Sequence, residues 1–248
     1  EVARFPVELA LAIERVTEEK IWSFPAPHTV RVTHKNGTDL RAKGNPEDWG
    51  GYFQNPDFKW DIPAVYPRTF PGQAVGLITP FAGEGVAYYD AFSGVGVCTE
   101  PLKLTYKDNR CVEIEGGSEA DKLRSIIKGI PYADYLCEIM FGLHPKIRAN
   151  APLDQKPLPN EAERRAGNLH IAIGNRPLIG GLWHEMKKVT GSFPDSHLDG
   201  FIVKPNVYIN DEPIIEEGHV LILDEPEIKQ IAEKYGDPKE LLALAGPD

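Results

Sequence analysis

At 248 residues, with 42% apolar and 26% charged side chains, the chain has the composition of a soluble globular protein and enough apolar sequence for a sizeable core. Its formal net charge of −10 and the lack of any basic stripe exclude nucleic acid as a natural partner, because phosphate binding needs clustered cations. No apolar run approaches the ~18 residues that cross a bilayer, and Cys98, Cys111 and Cys137 form neither a C-x-x-C metal pair nor an even disulfide framework. The cysteines read as buried thiols of a cytoplasmic protein. Glu1 stands where an initiator Met would, so the chain is expected to continue an amino-terminal part of a longer protein.

Phe5, Leu9, Ile13 and Val16 recur at spacings of three and four, which predicts a helix within residues 1–20. The alternating run from His28 to His34, the turn Lys35-Asn36-Gly37 and the return from Thr38 to Lys43 predict a β-hairpin. Residues 45–71 are rich in Pro, Gly and aromatics, among them Trp49, Phe58 and Trp60, and read as an ordered loop that covers something. Short strands are predicted at Ala74 to Ile78, Gly85 to Phe92, Leu102 to Tyr106 and Arg110 to Glu115, with Lys107-Asp108-Asn109 turning between the last two. Ser93-Gly94-Val95-Gly96 reads as a bend or bulge in a strand. A helix follows from about Ser118 to Lys128, with Ser118 as its cap. Further strands are predicted at Cys137 to Met140, His170 to Gly174, Gly200 to Val203 and Val207 to Ile209, and one or two short amphipathic helices over residues 225–244. Many short strands with Gly and Pro punctuation describe an α+β chain whose mixed or antiparallel sheet curls towards a barrel, with flanking helices.

The residues that carry chemistry are few. His197-Leu198-Asp199 places an imidazole and a carboxylate at i and i+2, on one face of a strand and about 6–7 Å apart at Cα. His144, in Gly142-Leu143-His144-Pro145, offers a second imidazole, and two imidazoles with one carboxylate leave open positions on a mononuclear iron. Glu138 lies in the apolar run Leu136-Cys137-Glu138-Ile139-Met140, where an ionised carboxylate is costly unless paired or metal-bound. His170, in Leu169-His170-Ile171-Ala172, is either a buried histidine satisfied by a carbonyl or a site residue. His184-Glu185 has Lys188 where an H-E-x-x-H zinc helix needs its second histidine, so that motif is excluded. A P-loop, a G-x-S-x-G elbow and a dinucleotide fingerprint are all missing from the sequence.

Taken in order, Gly37-Thr38-Asp39-Leu40, Gly83-Glu84, Glu138-Ile139-Met140-Phe141-Gly142, His170-Ile171-Ala172-Ile173-Gly174 and Ser196-His197-Leu198-Asp199 resemble the aminopeptidase T-like metalloprotein superfamily over roughly residues 38–223. Within it, a histidine followed after 52 residues by His-x-Asp, as from His144 to His197, resembles the 2,5-dihydroxypyridine 5,6-dioxygenase branch. The resemblance implies the carboxy-terminal catalytic part of that fold. Residues 1–27 would be a helix and linker from a preceding α/β domain, and residues 28–248 the metal-binding catalytic domain.

On the dioxygenase reading, His144, His197 and Asp199 hold Fe(II), and His170, Glu84 and Glu138 supply proton transfer or ring contacts. The substrates implied are a small hydroxylated aromatic and O₂, in a homo-oligomeric enzyme. The peptidase-like branch instead implies two metals on Glu84, Glu138, His170, His197 and Asp199. Pro177 stands where those peptidases resemble one another in carrying a tyrosine. A non-catalytic domain on the same fold is the third reading.

Overall fold

The computed structural model describes residues 4–45, 79–147, 163–174 and 196–245. The first apolar periodicity becomes helix α1 (Val7–Ser23), in which Leu9, Ile13 and Ile21 are buried. Pro25 and Pro27 follow at once, and proline disfavours continuation of a helix through the residue before it.

Strands β1 (His28–Thr33), β2 (Asp39–Asn45), β3 (Thr79–Phe92), β4 (Gly96–Lys107) and β5 (Arg110–Glu115) come next. Helix α2 (Gly117–Ile127) separates them from β6 (Leu136–Phe141), β7 (Asn168–Gly174) and β8 (His197–Val203). The chain closes with β9 (Asn206–Ile209), β10 (Glu212–Glu216), β11 (His219–Val220), α3 (Pro226–Glu233) and α4 (Pro238–Leu242).

The strands form one sheet in the order β11-β10-β9-β1-β2-β3-β8-β7-β6, with β4 and β5 branching from β3. Every ladder among the described strands is antiparallel, and the parallel pairings are isolated bridges, Gly142 with Ala166 and His144 with Arg165. The result is a curled antiparallel half-barrel dominated by strands, with helices at its margins. Hairpins explain the absence of parallel ladders: β1–β2, β3–β4, β4–β5, β9–β10 and β10–β11 are neighbours in both sequence and sheet, and a tight turn can only reverse the chain.

Local chemistry departs from the sequence expectations in three places. Ser118 does not cap α2: the helix begins beyond Gly116, and the Ser118 hydroxyl bonds the Glu119 carboxylate at 3.0 Å. Ser93 to Val95 is a tight turn between β3 and β4, closed by Val95 N–H donating to the Phe92 carbonyl at 3.0 Å, where a bend inside one strand was expected. Strands β10 and β11 escape the sequence pattern because one starts at Glu212-Pro213 and the other is only two residues long. The strand expected at Ala74 to Ile78 and the aromatic-rich covering loop, beyond Asn45, lie outside the described residues.

One apolar core runs beneath the sheet. It takes Leu9 and Ile13 from α1, Leu40 from β2, Leu102 and Leu104 from β4, and Ile228 and Ala232 from α3. The α1–α3 contact is edged by ion pairs, Lys234 to Glu8 at 2.9 Å and Lys20 to Glu225 at 3.5 Å. From the last three strands of the sheet the core takes Ile139 and Phe141 of β6, Leu169, Ile171 and Ile173 of β7, and Ile202 of β8. Alternation therefore turns Met140, His170, Ala172 and Phe201 to the other face. That second face carries the candidate site.

Candidate functional site

The β6–β7–β8 register sets the site as a lattice. On β7, His170 lies opposite Met140 and Phe201, Ala172 opposite Glu138 and Asp199, and Gly174 opposite His197. Two of these central positions are small, so the carboxylates and the imidazole of the flanking strands lean over β7 and meet. At Gly174, where φ is +109°, the strands approach so closely that an added Cβ would lie 2.1 Å from the Ser196 carbonyl oxygen.

Glu138 reaches this face only because β6 is bulged. The register slips between Leu136, paired with Ile173, and Glu138, paired with Ala172. Without the extra residue, strict alternation from Leu136 would send Glu138 into the apolar core. With it, Cys137 and Glu138 both turn to the polar side while Leu136 and Ile139 stay in the core. The Cys137 thiol donates to the Ala172 carbonyl at 3.5 Å and lies 3.8 Å from His197 Nδ1.

Four ionisable side chains are thus gathered. His170 Nε2 lies 3.4 Å from Glu138 Oε1, and His197 Nε2 lies 3.5 Å from Glu138 Oε2 and 3.1 Å from Asp199 Oδ1. Glu138 and His170 are buried, and His197 and Asp199 are half-buried. Burial alone would lower both histidines. It is outweighed at His170 by the Glu138 hydrogen bond and the charges of Asp199 and Glu138, which raise it, and at His197 by Asp199, Cys137 and Glu138, which push it up to about 12. Without a metal, the neighbouring carboxyl groups therefore favour the protonated form of both imidazoles.

This donor set suits a divalent cation. Ligands about 2.0–2.1 Å from a metal, at angles between octahedral and tetrahedral, stand roughly 2.8–3.4 Å from one another. The observed pair separations, 3.1–3.5 Å, overlap that range. His170 Nδ1, Asp199 Oδ1 and Ser196 Oγ are buried without a hydrogen-bond partner, although Asp199 Oδ1 sits 3.1 Å from His197 Nε2. Such buried, unsatisfied atoms cost about 1–3 kcal/mol each unless something else engages them. As the side chains stand, no three of the described His, Cys, Asp and Glu groups converge on a single ion position, so the fit lies in donor chemistry and pair spacing.

The six side chains singled out from the sequence separate here. His170, Glu138, His197 and Asp199 come together. His144 does not join them through any hydrogen bond or ion pair. It is buried at the rim of the core, its ring 4.7 Å from that of Phe5, and its Nδ1 accepts the Lys146 N–H at 3.2 Å. Burial pulls His144 down to about 4, so it is a neutral imidazole. Glu84 is exposed on β3, cross-strand from Arg41, and makes no hydrogen bond or ion pair with the cluster. Its neighbour Gly83 faces Leu136 in the core, where a Cβ would come within 2.5 Å, so Glu84 points away from the core and lies exposed.

Two residues near the cluster had no signal in the sequence. Cys137 looked like an ordinary buried thiol, and only the bulge turns it towards His197. Glu163 belongs to the charged run Glu163-Arg164-Arg165, which reads as a solvated turn. Burial raises its carboxyl, and it feels the charges of His170, Asp199 and Glu138, which places it beside the site.

No known family and no curated protein matches the sequence. Solved structures do match. The 2,5-dihydroxypyridine dioxygenase from Pseudomonas putida KT2440 superposes with a TM-score of 0.58 at 18% identity, over 87% of this chain and 63% of that one. AmpT from Thermus thermophilus superposes with a TM-score of 0.54 at 16% identity, over 88% of this chain and 56% of that one. Likeness at this identity establishes the fold alone. The chain spans less than two thirds of the length of either protein. Both a dioxygenase and an aminopeptidase are compatible with this fold, and no helix among the described residues is long and apolar enough to cross a membrane.

Proposed function

We propose that this chain carries the metal centre of a mononuclear non-haem Fe(II) oxygenase that cleaves a hydroxylated aromatic ring, of the kind represented by 2,5-dihydroxypyridine. The observation that carries the reading is the meeting of two imidazoles, His170 and His197, with Asp199 and Glu138 on one face of β6–β7–β8. Two histidines and a carboxylate are the donor set that leaves adjacent positions free for a substrate and O₂. Fe(II) held there would supply the electron transfer that lets O₂ react with a closed-shell ring.

Everything else falls to the protein. His197 and Asp199 are common to the ligand set read from spacing and the one read from contact. The second imidazole is His170 by contact and His144 by spacing. Glu138, touching both histidines of the cluster, is placed to accept the proton of a ring hydroxyl as the substrate binds in its anionic form. Glu163, whose carboxyl is held up by burial, can return a proton to the developing product. Phe201 and Met140, buried on either side of His170, make its surroundings apolar.

The test is anaerobic reconstitution with Fe(II), followed by metal analysis and O₂ uptake with 2,5-dihydroxypyridine. The reading expects about one iron per chain, lost in Asp199→Ala and His170→Ala and kept in His144→Ala. Retention of iron and activity by Asp199→Ala overturns it. Loss in His144→Ala with retention in His170→Ala restores the ligand set inferred from spacing.

A two-metal aminopeptidase is the second reading, favoured by a specific observation: Glu138, His170, His197 and Asp199 are four of the five donors that reading requires. Glu84, the fifth, is exposed and apart from them, which weighs towards one metal. Two metals per chain together with release of amino-terminal residues from peptides would decide for the peptidase.

A further inference from the structure

We propose that Cys137 is a positioning residue for His197, holding the imidazole with its Nδ1 protonated so that Nε2 is presented to the Asp199 and Glu138 carboxylates. The inference rests on the metal-centre reading of the cluster. Its local geometry, however, can be tested without any metal.

A regular β6 would place Cys137 and Glu138 on opposite faces, and only the extra residue between Leu136 and Glu138 turns both towards the polar side. The thiol is wholly buried there, between two fixed groups. One is the Ala172 carbonyl on β7, 3.5 Å away, which can only accept, so it takes the S–H proton. The other is His197 Nδ1, 3.8 Å away, and with its own proton committed the sulfur can only accept from it. The chain of donors is therefore directional: His197 Nδ1–H to Cys137 Sγ, and Cys137 Sγ–H to the Ala172 carbonyl. This fixes the edge of the ring that faces the site, because Nε2 is left towards Asp199 at 3.1 Å and Glu138 at 3.5 Å.

A histidine that binds a metal through one nitrogen commonly donates the other N–H to an oxygen acceptor, and that partner sets tautomer and orientation. Here the acceptor is a sulfur, which forms a longer and softer contact than a carboxylate would. The arrangement also gives the bulge a purpose. One inserted residue delivers both a carboxylate to the cluster and the group that aims the neighbouring imidazole.

The experiment compares the wild-type chain with Cys137→Ala and Cys137→Ser. In metal-free protein labelled with ¹⁵N at histidine, the His197 Nδ1–H is expected as a resonance protected from solvent exchange. Its ¹⁵N shift should move in Cys137→Ser, where oxygen replaces sulfur as acceptor, and its protection should be lost in Cys137→Ala. Zn(II), used as a redox-inert probe, is expected to bind Cys137→Ala about 10–100-fold more weakly, with substantial rescue in Cys137→Ser. An unchanged His197 resonance in Cys137→Ser overturns the proposal, as does wild-type zinc affinity in a folded Cys137→Ala. If Cys137→Ala does not fold, the resonance of the serine variant alone decides. Should the wild-type chain bind no zinc while the resonance behaves as expected, the metal reading fails and the Cys137–His197 contact stands.

Discussion

Lowering the pH should destabilise the fold through His144, and the size of the effect follows from its surroundings. The ring is buried against Phe5, and its Nδ1 accepts the Lys146 N–H, a bond that a protonated Nδ1 cannot accept. Burial brings the folded value to about 4 against 6.5 for a free imidazole. In that window the unfolded chain binds the proton and the folded chain does not, so stability rises with pH there. The contribution is complete above about 6.5 and is lost as pH falls towards 4. At about 1.4 kcal/mol for each tenfold change in proton affinity, it amounts to about 3 kcal/mol. Urea unfolding of metal-free protein between pH 7 and pH 4 should show this slope in the wild type and a shallower one in His144→Gln. Equal slopes refute the reasoning, as does an NMR titration of His144 near 6.5. Repeating the titration with Fe(II) present separates the two ligand assignments, because a coordinated His144 would resist protonation and a packed one would titrate as before.

Ala172→Leu should fill the space over which Glu138 and Asp199 lean from the flanking strands, and should abolish metal uptake in a chain that still folds, as read by metal analysis beside circular dichroism. Gly200→Ala acts on the opposite face, where an added Cβ would meet the Tyr89 and Phe92 rings at 2.4–2.5 Å; a loss of about 1–3 kcal/mol is expected in urea unfolding. Tyr89 and Tyr106 share a buried hydroxyl–hydroxyl bond of 2.6 Å, so either single Phe substitution should cost about 1–3 kcal/mol while the double substitution costs less than the two together. His197 raises stability in the metal-free chain fully below about 6.5 and loses it as pH rises towards about 12, so His197→Asn should flatten the alkaline side of the profile.

Much of the molecule was readable from the chain because its signals are local. The strand expected at Arg110 to Glu115 matches β5 over its observed span, and Asn36-Gly37 located the β1–β2 hairpin. Period three to four located α1, and the short helices of the tail behaved likewise. The buried Glu138 and His170 stood out because each interrupts an apolar run, and His197-x-Asp199 because i and i+2 share a face in any strand. Those patterns, with the order of motifs along the chain, were sufficient to propose a metal site on a curled sheet.

Which of these residues meet is a different kind of fact. It depends on register across β6–β7–β8 and on one extra residue in β6, neither of which leaves a periodic trace in the sequence. The bulge reversed the side to which Glu138 points and brought in Cys137, while Glu84 lies exposed on β3 and makes no bond to the cluster. His144 entered the expected ligand set through resemblance in its spacing to His197, and spacing along a chain says nothing of the fold between its ends: in the structure its ring packs 4.7 Å from that of Phe5. The chain by itself settled which side chains can do chemistry, because that is a property of the residues. Only the tertiary structure decided which of them share a site, because contact between distant residues is made by the sheet that lies between them.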